Sequence, residues 1–339
     1  MSKHAITLRD IYMARKRLAP IIRRTPLISS TSLTEYVGVP VYLKLDNLQE
    51  TGTFKIRGVA NIMLTLTTEE KARGVMTFSS GNHGRAVAYM AKELGINAVI
   101  CLSERVPSYR VDAIKYLGAE VVVYGKSQDE AKYHASELAE KQGLTWINEI
   151  DDPRVIAGHG TIGLELLEDL PEIDTAIVPL SGGGLISGVA LALKSANPAI
   201  RVIGISPEVA PAMYHSLKTG HPVEIEEKDS IADSLLGGIG LDNQYTFRIT
   251  QEYVDDVILL SEEEIAEGMA FALDEHHLIV EGAGAVGIAA LLARKVKQIA
   301  QKIVVVISGG NVDLPLLLKI AQNQGSRSGK WHKRKSSSQ

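Results

Sequence analysis

The sequence predicts an α/β, doubly wound fold: two domains built on open, mostly parallel twisted sheets. Three observations carry that reading. Short, continuous β-branched runs alternate with helical patterns along most of the chain, as expected of parallel strands covered on both faces by crossover helices. The length, 339 residues, exceeds what one ordinary core fills and points to two domains. The thirty glycines gather at the ends of apolar runs, and in open parallel sheets ligands bind at the carboxyl ends of the strands.

Taken in order, "VYLKL" (41–45) reads as a strand and leads into "ETGTFKIRG" (50–58). There Lys55 stands behind two small residues and beside Phe54, on no amphipathic pattern and in no charge run. "GVMTFSS" (74–80) then precedes the helical "GRAVAYMAKELG" (84–95), where Tyr89 and Met90 read as core, and "NAVICLS" (97–103) precedes "YRVDAIKYLG" (109–118). "EVVVYG" (120–125), the helical "QDEAKYHASELAEKQG" (128–143) and a strand "TWINEI" (145–150) follow. Later strands are "TAIVPL" (175–180), "RVIGIS" (201–206) and "KIVVVIS" (302–308). Ser261 to Glu264 reads as a capping box that starts a helix. No repeat of about twenty to fifty residues is visible.

Hydrophobic residues make up 45% and charged residues 22% of the chain, the balance of a soluble globular protein. A formal net charge of −4 argues against nucleic acid or an acidic membrane as partner. The single cysteine, Cys101, allows no intramolecular disulfide and fits a reducing, cytoplasmic setting. The start "MSKHAITLRD" has no apolar signal core, and no apolar run reaches the roughly eighteen residues of a membrane span. The end "GSRSGKWHKRKSSSQ" (325–339) has five Lys or Arg and no acid, and is expected to be a solvated, disordered tail.

Three strand ends carry unusual loops. Ser79-Ser80-Gly81-Asn82-His83-Gly84 sets hydroxyls, an amide, an imidazole and backbone N–H groups at a helix start, which suits a carboxylate, although an ordinary helix cap would read the same. In Ser181-Gly182-Gly183-Gly184-Leu185, consecutive glycines let the backbone approach a phosphate monoester with a helix dipole behind it. The spacing fits neither the dinucleotide fingerprint nor a P-loop. At Ser308-Gly-Gly-Asn311, a hydroxyl at a strand end can bond a ring nitrogen or a backbone group. No metal or hydrolase pattern competes: His276 and His277 are adjacent, and no G-x-S-x-G elbow occurs. A candidate amine, a phosphate cradle, a carboxylate pocket and a hydroxyl for a ring nitrogen together make the set that pyridoxal phosphate needs when it acts on an amino acid.

With these segments the chain resembles the fold-type II pyridoxal-phosphate enzymes, in the threonine dehydratase and serine racemase group. The resemblance runs through "RRTPL" (23–27), "YLKLDNLQETGTFKIRG" (42–58), "SSGNHGRAVAYMAKELGI" (79–96), "IAGHGTIGLELLEDLP" (156–171), "VPLSGGGLISG" (178–188), "VEGAGAVGIAAL" (280–291) and "ISGGNVDL" (307–314). It implies the tryptophan synthase β-like fold, with a large cofactor domain from 1–66 and 150–324, a small inserted domain at 67–149, and pyridoxal 5′-phosphate as cofactor. Lys55 would carry the cofactor as a Schiff base and later take the α-proton, with Phe54 against the ring. Asn82 would bond the ring's 3′-oxygen, residues 181–185 the phosphate and Ser308 the pyridine nitrogen, with Glu281 near the ring. Ser79, Ser80, Gly81, Asn82 and His83 would line the substrate carboxylate pocket, and Ser80 matches the second acid/base of the racemases. A homodimer is implied as well.

The implied reaction is β-elimination from a hydroxy-amino acid such as L-threonine or L-serine, giving a 2-oxo acid and ammonia. Two alternatives share that chemistry: a serine or aspartate racemase, and a dehydratase of another hydroxylated amino acid, hydroxyectoine-derived or 3-hydroxyaspartate. A binding module without catalysis would be expected to have lost Lys55, Ser80 or Ser308, and none is lost. The departures are Ser181 for the first glycine of the usual four, His159 where glutamine is common, and Ser234 where relatives often have glycine. The acids that hold a divalent cation in some relatives are replaced by Ser206 and Ala212, leaving Glu208, so no metal is expected.

Overall fold

The computed structural model describes residues 6–79, 81–104, 106, 108–126, 128–226, 228–298 and 301–325. Ser80 and the tail from residue 326 therefore lie outside the described residues. The strands are β1 (Leu27–Ser29), β2 (Val41–Leu45), β3 (Val75–Phe78), β4 (Ala98–Leu102), β5 (Glu120–Val123), β6 (Thr145–Trp146), β7 (Thr175–Pro179), β8 (Arg201–Pro207), β9 (Asp256–Leu260) and β10 (Ile303–Ile307). The helices of the first half are α1 (Leu8–Leu18), α2 (Thr31–Val37), α3 (Lys55–Leu64), α4 (Thr68–Arg73), α5 (Asn82–Leu94), α6 (Ser108–Tyr116) and α7 (Gln128–Gln142). Then come α8 (Pro153–Asp169), α9 (Gly184–Ala196), α10 (Ala212–Thr219), α11 (Thr246–Tyr253), α12 (Glu262–His276), α13 (Gly282–Leu292) and α14 (Leu314–Gly325).

Two sheets form. A six-stranded sheet runs β1-β2-β10-β7-β8-β9, parallel except for β1, and a four-stranded parallel sheet runs β5-β4-β3-β6. Strand β10 shows why the larger sheet is buried on both faces. Ile303, Val305 and Ile307 pack with Val286 of α13 and Phe271 of α12. The intervening Val304 and Val306 pack with Ile162 of α8 and Val189 of α9. The period-2 alternation of side chains thus meets apolar helices on either side. In the smaller sheet, Val75 and Ile100 pack on α3 and α5, while Met76 and Val99 face Ala131 and Ala135 of α7.

Three local expectations change. Lys55, on no amphipathic pattern in the sequence, is the first residue of a helix, α3; that helix is buried over Ile56–Met63, so it lacks the polar face that would have marked it in the sequence. The helix after Gly81 begins at Asn82, two residues earlier than expected. The strand "TWINEI" keeps only Thr145–Trp146, because the Asn148 side chain accepts from the backbone N–H of Ile150 (2.9 Å) and Asp151 (3.2 Å) and turns the chain toward α8.

A buried ion network underlies α3. The Arg57 guanidinium donates to both oxygens of Asp46 (2.7 and 2.8 Å) and to Glu165 (2.6 and 3.0 Å). Lys44 pairs with Glu165 at 2.6 Å and donates to the Thr25 carbonyl. Arg57, Lys44 and Asp46 are all at most 1% exposed. Burial opposes the charge on Arg57, but Asp46 and Glu165 outweigh it and hold the guanidinium pKa above its ordinary value.

Candidate active site

The carboxyl ends of the larger sheet's central strands open on a cavity of about 1030 Å³. Phe54, Lys55, Asn82, residues 181–185, Glu281 and Ser308 all line it.

Lys55 is placed by the segment ahead of it. Thr53 bridges Gly309, the Phe54 N–H donates to the Ser308 carbonyl (2.9 Å), and the Gly310 N–H to the Gly52 carbonyl (3.0 Å). Gly52 has φ +79° and Asn311 packed over it, so a side chain there would be strained. The start of α3 is thereby laid beside the end of β10. Lys55 Nζ lies 5.5 Å from the Phe54 ring centroid and donates to Glu149 Oε1 at 2.9 Å. Burial alone would raise the Glu149 carboxyl, but the Lys55 ammonium outweighs it and holds that pKa below its usual range.

The glycine cradle caps α9. Gly183 has φ +92°, and a Cβ there would meet Met213 Cε at 2.9 Å and Thr250 Oγ1 at 3.1 Å. A Cβ at Gly182 would meet Ile150 Cδ1 at 2.6 Å. The first N–H groups of a thirteen-residue helix consequently face the cavity with no side chain over them. Ser181 lines the cavity ahead of the glycines, its hydroxyl donating to the Leu236 carbonyl (3.4 Å).

Opposite the cradle, Asn82 Nδ2 donates to Glu281 Oε1 (2.9 Å) and Oε2 (3.1 Å), and Asn82 Oδ1 accepts from Asn311 Nδ2 (2.8 Å). Arg85 in turn donates to Asn311 Oδ1 (3.0 Å). Burial dominates at Glu281 and pushes its pKa up to about 7, against the opposing effect of the Asn82 amide. Ser234 Oγ accepts from Asn82 (3.3 Å), and Arg110 of α6 pairs with Asp233 at 2.8 Å.

Not every residue proposed for the carboxylate pocket reaches the cavity. His83 is 1% exposed and off the cavity wall, its Nε2 bonded to the Ile147 carbonyl (3.2 Å), and burial pushes its pKa down to about 4. Ser79 is buried too, and neither it nor Gly81 lines the cavity. His159 does line it, buried and edge-on to Phe54 with ring centroids 4.8 Å apart. Burial drives its pKa well below the histidine norm, so it is a neutral ring that wedges Phe54. Sequence reasoning missed Glu149, Asn311 and Arg85. Only the acid-rich "NEIDD" (148–152) hinted at the first. Where a cation site was considered, Glu208 is exposed and Ser206 buried. Among the described residues, no group of three or more His, Cys, Asp or Glu could hold a metal, and no helix is long and apolar enough to cross a membrane.

A part-buried primary amine, a bare helix N-terminus that a Cβ would crowd, and a buried serine at a strand end share one cavity. Those donors fit an aldehyde, a phosphate and a pyridine nitrogen. The chain belongs to the family of pyridoxal-phosphate dependent enzymes, whose profile matches residues 18–309, and pyridoxal phosphate is its cofactor. It is 42% identical over 325 residues to the L-threonine ammonia-lyase of Thermotoga maritima, covering 96% of this chain and 80% of that protein. Among solved structures, maize serine racemase matches with a TM-score of 0.89 at 38% identity, covering 96% of this chain and 99% of that one. The processed threonine deaminase isoform 2 of Solanum lycopersicum matches with a TM-score of 0.87 at 37% identity, covering 94% and 92%.

Proposed function

We propose that the protein is an ammonia-lyase that removes water from a hydroxy-amino acid such as L-threonine or L-serine, giving a 2-oxo acid and ammonia. The observation that carries this reading is the Lys55 amine on the wall of a cavity it shares with the bare N-terminus of α9 and with Ser308. When bound, pyridoxal phosphate supplies the electron sink that makes the α-proton of an amino acid removable. Residues 181–185, with the dipole of α9, would hold its phosphate, Phe54 would flank the ring, and Ser308 would meet the pyridine nitrogen. A serine there carries no charge to keep that nitrogen protonated, which favours elimination over transamination. Asn82, held by Glu281 and Asn311, would bond the ring's oxygen.

Lys55 takes the α-proton onto Nζ. The Cα–H pair becomes the Cα–Cβ double bond, and the Cβ–O bond breaks, the hydroxyl leaving as water with the proton that Lys55 took. The resulting enamine then takes up water to give the 2-oxo acid and ammonium, so the atoms balance. In the same reading, residues 1–66 and 150–324 form the cofactor domain, 67–149 the smaller substrate-side domain, and the active form is a cytoplasmic homodimer. The test is 2-oxo-acid and ammonia release from a panel of L- and D-hydroxy-amino acids, with Lys55→Ala as control. Lysine-dependent release supports the lyase. Chirality inversion without release moves the assignment to a racemase using Ser80, and neither outcome on any substrate overturns the enzyme reading.

A further inference from the structure

We propose that, among hydroxy-amino acids, Glu149 makes the enzyme favour those whose side chain also carries a positive charge beyond the β-carbon. The inference rests on Lys55 being the base that takes the α-proton, and that base fixes the geometry. A productive substrate puts Cα within about 3.5 Å of the lysine nitrogen. Glu149 Oε1 sits 2.9 Å from that nitrogen. With Glu149 and Lys55 where the structure has them, the carboxylate lies within about 6.4 Å of the α-carbon of a substrate placed against the amine, a distance that a γ- or δ-substituent spans.

The present partner of Glu149 does not persist through turnover. A lysine nitrogen joined to the cofactor's carbonyl carbon keeps at most one N–H of the three it has as an ammonium. Glu149 has 37% of its side-chain surface accessible and lines the cavity; with its ammonium partner reduced to a single N–H, this partly desolvated carboxylate is open to a further cation. The wall offers few. Lys132 lines the cavity, but so do Glu224, Glu226 and Asp242, and one sign of charge in a low-dielectric cleft concentrates ligands of the other. Asp151 does not add to this effect in the same way, since its carboxylate accepts from the N–H groups of Gln244, Tyr245 and Thr246 (2.6–3.0 Å). An ammonium at the γ- or δ-carbon would pair with Glu149, whereas a side-chain carboxylate, as in 3-hydroxyaspartate, would face it unpaired.

The test uses the holoenzyme and three four-carbon amino acids without a β-hydroxyl: 2,4-diaminobutyrate, homoserine and aspartate. Binding is read by calorimetry and by the change in the cofactor's visible band, so no turnover is required. Diaminobutyrate is expected to bind at least about tenfold tighter than homoserine, with aspartate weakest, the scale of a hydrogen bond to a charged group. Glu149→Gln should bring the three within about threefold of one another while retaining the visible band. Should that variant not fold, Glu149→Asp serves instead and should keep the order with a narrower spread. Aspartate binding tightest, the same spread in Glu149→Gln, or an equal loss for all three would overturn the proposal; the last would mean that Glu149 serves only the α-ammonium or Lys55. Ammonia release from hydroxy-amino acids is scored separately, so a charge preference without release would sink the lyase reading, and release without a charge preference would sink this one.

Discussion

Replacing Asp46 with asparagine tests the buried ion network beneath α3. Arg57 and Lys44 supply two buried cations, and Asp46 and Glu165 supply the two anions that contact them within 3.0 Å. Asp169, 3.6 Å from Lys44 and 25% exposed, is the outlying fifth member. Asp46→Asn keeps the shape and one acceptor but leaves two cations on one close anion, and an uncompensated charge of this kind costs about 3–5 kcal/mol. At about 2.1 cal/mol/K per residue, a chain of 339 residues unfolds with about 0.7 kcal/mol/K. The melting temperature should therefore fall by about 4–7 °C, measured by calorimetry. The decisive measurement is the double variant Asp46→Asn/Arg57→Met, which returns the network to Lys44 facing Glu165. It should recover about 2 kcal/mol relative to the sum of the single changes. A loss under about 1 kcal/mol in the single variant, or strict additivity in the double, would refute the view that charge balance anchors the helix carrying Lys55.

Lys55→Ala should abolish the visible band and lower turnover by at least about a thousandfold, read by absorbance and ammonia release. Gly183→Ala forces a side chain into φ +92° against Met213 and Thr250. It should cost about 1–2 kcal/mol of stability in denaturant unfolding, and a spectroscopic titration should show weaker cofactor binding. Glu281 gives a pH signature in the cofactor-free protein: its pKa is raised from 4.5 to about 7, so the native state holds the proton more tightly than the unfolded chain. Its contribution is complete below the unfolded value and is lost as pH rises through about 7, roughly 3 kcal/mol in all. Glu281→Gln should flatten that slope in urea unfolding measured from pH 5 to pH 8.

The parts legible in the sequence were those whose signal is local. "KIVVVIS" reads as a doubly covered strand because each of Ile303–Ile307 is buried by a helix on its own side. The glycine loop reads as an anion cradle because small residues after a buried strand leave N–H groups bare. The start of α3 was hidden: Gly58 and the β-branched Ile56 and Val59 weaken the helical pattern, and burial all round removes the amphipathic period. His83 looked like a pocket residue from its neighbours, yet the turn before α5 drives it inward to the Ile147 carbonyl. Glu149 was illegible because its meaning comes from a partner 94 residues away, and the Asn82–Glu281 contact spans 199. Ser80 lies outside the described residues, so its expected role stands as sequence left it.

The two sheets share no strand pairing. Beside the cavity polar side chains join the elements around them, Asn82 with Ser234 and Glu281, Arg85 with Asn311, and Arg110 with Asp233, while Ile56, Val59 and Ile62 of α3 pack with Val75, Val87 and Met90 in one apolar cluster. Water can stand in for each of the polar contacts but not for the apolar cluster. The joint is thus replaceable by solvent where it borders the cavity, and dry behind it, where the helix that carries the amine is packed.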